Sequence, residues 1–271
     1  MKPNLFFFTA FPFACAYLLG LFVVSQTGGG IGAVRTLQDT QLSLTLFLVL
    51  FFAATAFLLL LSHITKSGAV YRVVFALLLC FGLVQLFELV FPLGFSVAIA
   101  LIFLFGFFLV SSVWMHDLII VLVAAGIAPV FGLQFSEHTA ALLLIILSVY
   151  DIGAVFVTKH MVMLAHEMIR HQASFALFVP ERIRGFGANV ASVVPGSGFL
   201  IVGGGDIVLP LIALSAVART SMTAALYGVV GALAGMFINH LLLTVARRPL
   251  PALPFLTIGT LIGIQAGHLF S

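Results

Sequence analysis

Nine long apolar runs fill most of this chain, and they constrain its fold more than any other feature. A helix needs about 20 apolar residues to cross the ~30 Å hydrocarbon core of a membrane, and each run is about that long. Hydrophobic residues make up 63% of the 271 residues and charged residues 7%, whereas a soluble domain has about a quarter charged residues. This composition excludes a soluble globular enzyme and a disordered chain. The net charge of +3 is too small and too scattered for a nucleic-acid footprint, so we expect no nucleic-acid partner.

The sequence predicts an all-α polytopic membrane protein with nine transmembrane helices. The predicted spans are 5–25, 42–62, 70–91, 95–113, 117–134, 139–160, 198–218, 222–245 and 252–270. They form a six-helix N-terminal membrane part (1–160) and a three-helix C-terminal membrane part (198–271). The loop 161–197 separates the two parts, which we expect to make one membrane domain.

The basic residues of the connections predict how the chain is oriented, because Lys and Arg are enriched in cytoplasmic loops. With the N-terminus inside, the inner segments hold nine of them: Lys2, Lys66, Arg72, Lys159, Arg170, Arg182, Arg184, Arg247 and Arg248. The outer segments hold two, Arg35 and Arg219. We therefore expect a cytoplasmic N-terminus, a cytoplasmic 161–197 loop and a C-terminus on the outer side of the membrane.

Two acidic residues, Asp151 and Asp206, lie deep inside predicted spans. The other six acidic residues lie in connections or near span ends: Asp39, Glu88, Asp117, Glu137, Glu167 and Glu181. Asp151 is eight residues before Lys159 and Asp206 is nine residues after Ser197, which places both at roughly 12–13 Å from the inner face at 1.5 Å per helical residue. A charge at such depth costs ~2.5–3.5 kcal/mol or more, so it marks a functional site by default.

Equal depth on two consecutive antiparallel spans predicts that the two carboxyl groups meet. Two carboxylates close together in a low dielectric cannot both be ionised, so the pair shares one proton. A base then stands beside an acid, as in the aspartic proteases, where one carboxyl activates water and the other protonates the carbonyl oxygen or the leaving amine. Two alternatives remain at this point: an acid pair that only packs, and a proton relay in a secondary transporter.

Three short motifs accompany these acids. Tyr150-Asp151 is followed by Gly153-Ala154, two small residues that favour a close approach between helices. Gly203-Gly204-Gly205 precedes Asp206, and three glycines in a row loosen a helix and leave room beside the acid for a substrate chain. Pro251-Ala252-Leu253 begins the ninth predicted span.

In this order, on the sixth, seventh and ninth spans, the motifs resemble the YD, GxGD and PAL motifs of the presenilin and signal-peptide-peptidase superfamily, the GxGD intramembrane aspartyl proteases. The resemblance covers the whole chain, whose small size is similar to that of microbial presenilin homologues. It implies an intramembrane aspartic endopeptidase without a cofactor, with Asp151 and Asp206 as the catalytic residues. It also implies that Tyr150, Gly203–Gly205 and Pro251–Leu253 shape the active site and bind the substrate. The expected partners are the lipid bilayer and single-span transmembrane substrates, and the sequence leaves homo-oligomerisation open.

Three further expectations follow from the resemblance. Presenilins have a cytoplasmic N-terminus and signal peptide peptidases are inverted, so the distribution of basic residues favours the presenilin branch. Members of the family commonly carry a larger residue at the x of GxGD, where this chain has Gly204, and we expect this glycine to loosen substrate selection. Presenilins cut themselves in the segment that corresponds to 161–197. Its apolar residues are interpreted as a plug or a cleavage site: Phe175, Leu177, Phe178 and Val179.

No metal site is expected. His166-Glu167 is followed by His171 rather than by a histidine at position 170, so the HExxH spacing of a zinc protease is absent. The histidines His160, His166 and His171 are expected at the wet surface. The competing functions are a proton-coupled transporter, for which the halves show no convincing inverted repeat, and a scaffold, which would leave the two acids unexplained.

Two series of glycines predict close packing between the last helices. Gly231 and Gly235 are four residues apart in the eighth span, and Gly259, Gly263 and Gly267 repeat at the same interval in the ninth. Small residues at this spacing let two helix backbones approach each other closely. We expect these glycines to hold the last helices together rather than to take part in chemistry.

Overall fold

The computed structural model describes residues 3–27, 44–64, 68–158, 174–193, 198–246 and 250–270. These residues form nine α-helices and one two-stranded antiparallel sheet. The helices are α1 (Pro3–Thr27), α2 (Leu44–Ile64), α3 (Gly68–Phe87), α4 (Leu93–Leu109), α5 (Val113–Gly132), α6 (Glu137–Gly153), α7 (Gly205–Ala218), α8 (Met222–Ala246) and α9 (Leu253–His268). One π-helical turn, Ala154–Thr158, continues α6. The strands β1 (Ala176–Pro180) and β2 (Phe199–Gly203) lie between α6 and α7 in the chain.

Each predicted span contains one of these helices. Five stretches are long and apolar enough to cross a membrane by length and composition: Leu5–Thr27, Ala69–Phe87, Val113–Gly132, Glu137–Phe156 and Met222–Leu243. Large apolar side chains such as Phe11, Ile102 and Ile262 are exposed on the outer faces of their helices, as expected where lipid replaces water. The mostly helical, multi-pass character is confirmed, and the number of nine crossings stays a prediction.

The seventh predicted span is wrong in its first part. Residues 199–203 form β2 instead of a helix, and α7 begins only at Gly205. Before the strand, Gly198 has a φ of 89°, a left-handed conformation that favours glycine. The chain thus enters the apolar interior as a strand and turns into a helix at the glycine triplet.

The prediction of an irregular loop is also wrong for residues 176–180. They form β1, whose five residues are all buried, and the register with β2 runs from Ala176 opposite Gly203 to Pro180 opposite Phe199. The apolar stretch interpreted as a plug or cleavage site is therefore a buried strand.

Helix α5 is the centre of the bundle. Fifteen of its twenty residues are buried, so it has almost no face left for lipid. It packs against α1, α3 and α7. Its close approach to α7 uses Gly132, where an added Cβ would lie 2.5 Å from the Ile212 carbonyl oxygen. This core fixes α7, and with it Asp206, relative to the rest of the protein.

The predicted glycine contacts between the last two helices are confirmed. A Cβ on Gly259 would lie 2.1 Å from the Gly231 carbonyl oxygen, and a Cβ on Gly231 would lie 2.1 Å from the Gly259 carbonyl oxygen. Gly235 approaches the Phe255 carbonyl oxygen in the same way, and Gly263 approaches that of Tyr227. The two backbones of α8 and α9 are in direct contact, which holds the start of α9 in place.

Several residues used in the sequence analysis lie outside the described residues. They are Lys2, Arg35, Lys66, Lys159, Arg170, Arg247 and Arg248 among the basic residues, the histidines His160, His166 and His171, the acids Asp39 and Glu167, and Ser197. The predicted orientation therefore stays a prediction.

The contact between α8 and α9 gives a stability prediction. Gly259→Ala places a methyl group against the backbone of Gly231, and such overpacking costs about 1–3 kcal/mol. Thermal unfolding of the purified protein in detergent should show a clearly lower midpoint. Gly106→Ala is the matched control, because a Cβ there meets only the end of the Met115 side chain, at 3.4 Å. Equal midpoints for both variants would contradict the proposed contact.

Candidate active site

Helix α6 and helix α7 carry the two deep acids to the same depth. The ends of the two helices are tied by a hydrogen bond from the Thr220 hydroxyl to the Glu137 carboxylate. Asp151 follows Glu137 by fourteen residues and Asp206 precedes Thr220 by fourteen, so each lies ~21 Å along its helix from this tie at 1.5 Å per residue. The two acids thus lie at matching distances from the contact between Glu137 and Thr220, although residues 199–203 form a strand and not the helix on which the predicted depth of Asp206 was based.

Both acids line one cavity of about 350 Å³. Helices α2, α3, α5, α6 and α7, the residue before β1 and the start of α9 all contribute to its wall. Besides Asp151 and Asp206, the lining residues are Phe47, Phe51, Leu78, Ile127, Phe131, Leu147, Tyr150, Phe175, Gly205, Val208, Leu209, Ile212 and Leu253. Apart from the two carboxyl groups and the Tyr150 hydroxyl, the lining side chains are apolar. The two acids share a site that has little other polar chemistry.

Backbone groups hold the two carboxyl groups in position. The Leu253 N–H donates to Asp151 Oδ2 over 3.4 Å, which is a long contact. Asp206 is the second residue of α7. Its carboxyl group forms a hydrogen bond with the Gly203 backbone, and the Asp151 carboxyl group is close enough to interact with it electrostatically. The Tyr17 hydroxyl from α1 lies 3.5 Å from the Asp206 carbonyl oxygen. The Asp151 carboxyl group is therefore oriented by the start of α9, and the Asp206 carboxyl group by the glycine turn directly before α7.

The other predicted site residues lie around this cavity in two groups. Leu253 is buried and brings the Pro251–Leu253 segment against Asp151, with Ala252 as the N-cap residue of α9. Tyr150 lines the cavity and packs edge-on against Phe52 of α2, with 5.3 Å between the ring centroids. The structure thus brings the three motifs to one place.

The three glycines before Asp206 differ in their surroundings. Gly203 ends β2, and a Cβ there would meet only the Asp206 carboxyl group, at 3.6 Å. A Cβ on Gly205 would meet no described atom within 4 Å, whereas one on Gly204 would overlap Phe175. The flanking glycines leave open space beside the acid, as expected, and the middle one is tightly packed. Among the described residues, no atom lies within 4 Å of a Cβ on Gly153, whereas its neighbour Ala154 is buried, so the close helix approach expected at this pair stays a prediction.

Helix α2 covers the cavity through the edges of aromatic rings. Phe47 makes T-shaped contacts with Phe131 and Phe135, at centroid distances of 5.6 and 5.3 Å. Phe51 approaches Tyr150 in the same way, at 6.2 Å. Such ring contacts are worth about 0.5–1.5 kcal/mol each beyond their buried area. The wall formed by α2 is therefore apolar, and contacts between aromatic side chains hold it against Phe131, Phe135 and Tyr150.

Two polar residues of α5 hold the edge of β1 that faces away from β2. Asp117 Oδ1 accepts the Phe178 N–H over 2.9 Å, and His116 Nε2 lies 3.0 Å from the Ala176 carbonyl oxygen. Because a carbonyl oxygen only accepts, the His116 Nε2–H is the donor. Asp117 is 7% exposed and lies within the helix rather than at a wet helix end. The sequence analysis missed this role, although two adjacent polar residues in an apolar span were a signal for it.

The arrangement can hold a water molecule between two carboxyl groups in an apolar enclosure. Among the described residues, no group of three or more His, Cys, Asp or Glu side chains is arranged to hold a metal ion. The polar side chains that line the cavity are those of Asp151, Asp206 and Tyr150.

Comparison with known proteins identifies relatives of the chain. The family model described as "Signal-peptide peptidase, presenilin aspartyl protease" matches residues 22–271. Two similar solved structures are those of a presenilin family intramembrane aspartate protease in two crystal forms. In the C222 form the TM-score is 0.65 at 20% identity, and in the P2 form it is 0.63 at 21% identity. Each alignment covers 97% of this chain and 96% of the other.

At this identity the structural likeness shows the fold. No curated protein matches the chain. Neither the family model nor these two structures supports the transporter alternative.

The contact between Asp117 and β1 gives a second stability prediction. Asp117→Leu leaves the Phe178 N–H buried without an acceptor, which costs about 1–3 kcal/mol. Asp117→Asn keeps an oxygen at the same place and should retain most of the stability. Thermal unfolding in detergent measures the difference, and a leucine variant as stable as the asparagine variant would contradict the role of this hydrogen bond.

Proposed function

The chain belongs to the signal-peptide peptidase and presenilin aspartyl protease family, and we propose that it cleaves peptide bonds within transmembrane helices by means of Asp151 and Asp206. The observation that carries the proposal is that these two acids, from different helices, line a single apolar cavity. A carboxyl pair in such surroundings is expensive to keep. A catalytic role in proteolysis explains why the pair is present despite this free-energy cost.

The pair carries out hydrolysis by sharing one proton. One carboxylate removes a proton from water, which attacks the scissile carbonyl carbon, while the other carboxyl group donates its proton to the carbonyl oxygen. Breakdown of the tetrahedral intermediate transfers a proton to the leaving amine and restores the starting state. The Leu253 N–H and the Gly203 backbone keep the two groups oriented during the cycle.

The apolar wall of the cavity fits a substrate that arrives from lipid. A transmembrane helix hides its peptide bonds, because all of its backbone groups are bonded within the helix. The enzyme must therefore unwind a few substrate residues and offer their backbone groups new partners. We propose single-span membrane proteins as the substrates.

Strand β2 is the proposed partner for the unwound substrate backbone. The other strand, β1, is bonded to β2 on one edge and to Asp117 and His116 on the other. Within the described residues β2 pairs only with β1, so its second edge offers donors and acceptors to an extended chain. The strand leads directly to Gly203–Gly205 and Asp206, and a substrate strand paired with it ends beside the acids.

The remaining motif residues are proposed to shape the site. Pro251–Leu253 positions Asp151 through the Leu253 N–H and forms part of the wall. Tyr150 joins Asp151 to the aromatic wall of α2, and the open Cβ positions of Gly203 and Gly205 leave space for the substrate.

We further propose the orientation given by the basic residues, with a cytoplasmic N-terminus and an outer C-terminus. The parts 1–160 and 198–271 then form one membrane domain, with 161–197 on the cytoplasmic side.

The catalytic assignment predicts that Asp151→Asn and Asp206→Asn each lower the cleavage rate by about 10²–10⁴-fold, because an amide can neither accept nor supply the proton. Cleavage of a labelled transmembrane peptide in detergent measures the rate. Thermal unfolding shows whether the variants remain folded. Glu88→Gln is the control, because Glu88 is a half-buried acid beyond the end of α3 that does not line the cavity. Full activity in either asparagine variant would refute the assignment.

The orientation predicts which surface residues an impermeant thiol reagent reaches in whole cells. In a background without Cys15 and Cys80, the variant His138→Cys should be labelled from outside, because this exposed residue lies in the first turn of α6, which is proposed to run inward. A cysteine at the exposed Arg184 should be labelled only after the cells are opened. The reverse pattern would mean an inverted protein.

A further inference from the structure

We propose that the ring of Phe175 sets the size of the substrate side chain that fits beside Asp206, in the place where a side chain at position 204 would otherwise stand. This inference rests on the proposed protease function. It concerns selectivity rather than the catalytic step.

The ring occupies the volume that a side chain on Gly204 would need. A Cβ at position 204 would lie 2.2 Å from Phe175 Cδ1 and 2.5 Å from Phe175 Cε1. It would also lie 2.7 Å from the Phe175 carbonyl oxygen, which accepts the Gly204 N–H over 2.8 Å. Of the three glycines before Asp206, only the middle one is required by packing.

Phe175 belongs to the wall of the cavity that holds the two acids. It lines the cavity together with Asp151, Asp206 and Gly205, and it is partly buried against the main core. A ring at this position removes space from the part of the cavity next to Gly205 and Asp206. A bulky substrate residue is excluded there and a small one is accepted.

The two-stranded sheet fixes the position of this ring. Phe175 immediately precedes β1, whose first residue, Ala176, is opposite Gly203. The hydrogen bond from the Phe178 N–H to Asp117 Oδ1 holds the same strand against α5. With the backbone held on both sides, the Cα of Phe175 is fixed next to Gly204, and the ring can leave this space only by a change of rotamer.

This arrangement changes the expectation drawn from the sequence alone. A glycine at position 204 was expected to loosen substrate selection, because it removes a side chain from the site. The space is filled by Phe175 from another part of the chain, so selection by size is retained and is controlled from β1. A hydrophobic site discriminates by about 10–200-fold for a change of one methylene group, so the effect is measurable.

The test compares cleavage of a set of synthetic transmembrane peptides in detergent. The peptides differ at one residue next to the main cleavage site, which is Ala, Val, Leu or Phe, and mass spectrometry identifies the products. Phe175→Ala should raise kcat/KM for the Phe peptide relative to the Ala peptide by about 10-fold or more, and Phe175→Leu should give a smaller change. Phe178→Ala is the matched control. Phe178 is a fully buried phenylalanine of the same segment that packs in a separate cluster with Val113 and Val190, so its loss should lower all rates and leave the ratio unchanged.

An unchanged ratio in both Phe175 variants, or the same change in Phe178→Ala, would overturn the inference. Asp206→Asn is measured in parallel. Cleavage that persists in this variant refutes the proposed function itself. Cleavage that depends on Asp206, but with a ratio of Phe to Ala peptide cleavage that the Phe175 variants leave unchanged, refutes only the role of Phe175.

A double-mutant cycle measured by thermal unfolding tests the contact between Phe175 and position 204 even if a Phe175 variant is inactive. Gly204→Ala should lower the thermal midpoint strongly in the wild-type background and less strongly when Phe175→Ala is also present. The rescue is expected to be partial, because the Phe175 carbonyl oxygen stays in place. Equal losses in both backgrounds would show that the ring does not occupy the space at position 204, and the inference would fail.

Discussion

The cost of keeping two carboxyl groups in an apolar interior governs this structure. An unpaired charge away from water is so unfavourable that it is normally avoided or neutralised, yet Asp151 and Asp206 line the same apolar cavity. The surrounding elements offset part of this cost by holding each group near a backbone partner. Helix α9 supplies the Leu253 N–H, and the glycine turn before α7 supplies the Gly203 backbone. The close contact of α8 with α9 and the buried α5 are what keep these partners in place.

The second constraint is that backbone groups inside a membrane protein must find partners within the protein. A sheet of two strands leaves two edges open, and this chain closes one of them with side chains. Asp117 and His116 bond to the outer edge of β1, so the strand is fixed without a third strand beside it. As a result, the two edges of the sheet differ: among the described residues, the edge of β2 is the one that remains for pairing with another chain. The sheet also carries Phe175 to the acids, so the proposed recognition of a substrate backbone and the proposed selection of its side chain depend on the same element.

The agreement between sequence and structure is good where a pattern is long and poor where it is short. Runs of about 20 apolar residues predicted the positions of the helices, and the four-residue glycine repeats predicted the contact of α8 with α9. The stretch 198–203 is apolar too, but a short apolar run fits a strand as well as a helix. Pairing with β1 decided the outcome, and that pairing joins residues 19 to 27 positions apart in the chain. Gly153 shows the same limit, since its surroundings depend on which helix lies opposite.

The sequence by itself determined that the chain enters lipid, where its helices lie, and that Asp151 and Asp206 are the two deep acids, because the composition of a segment and the burial cost of a charge are local properties. It also indicated the family, through the order of three motifs. Tertiary structure alone decided that Leu253 bonds to Asp151, that Asp117 closes the edge of β1, and that Phe175 fills the space beside Gly204. Each of these contacts joins residues far apart in the chain, and their geometry is set by the packing of whole elements rather than by any local preference.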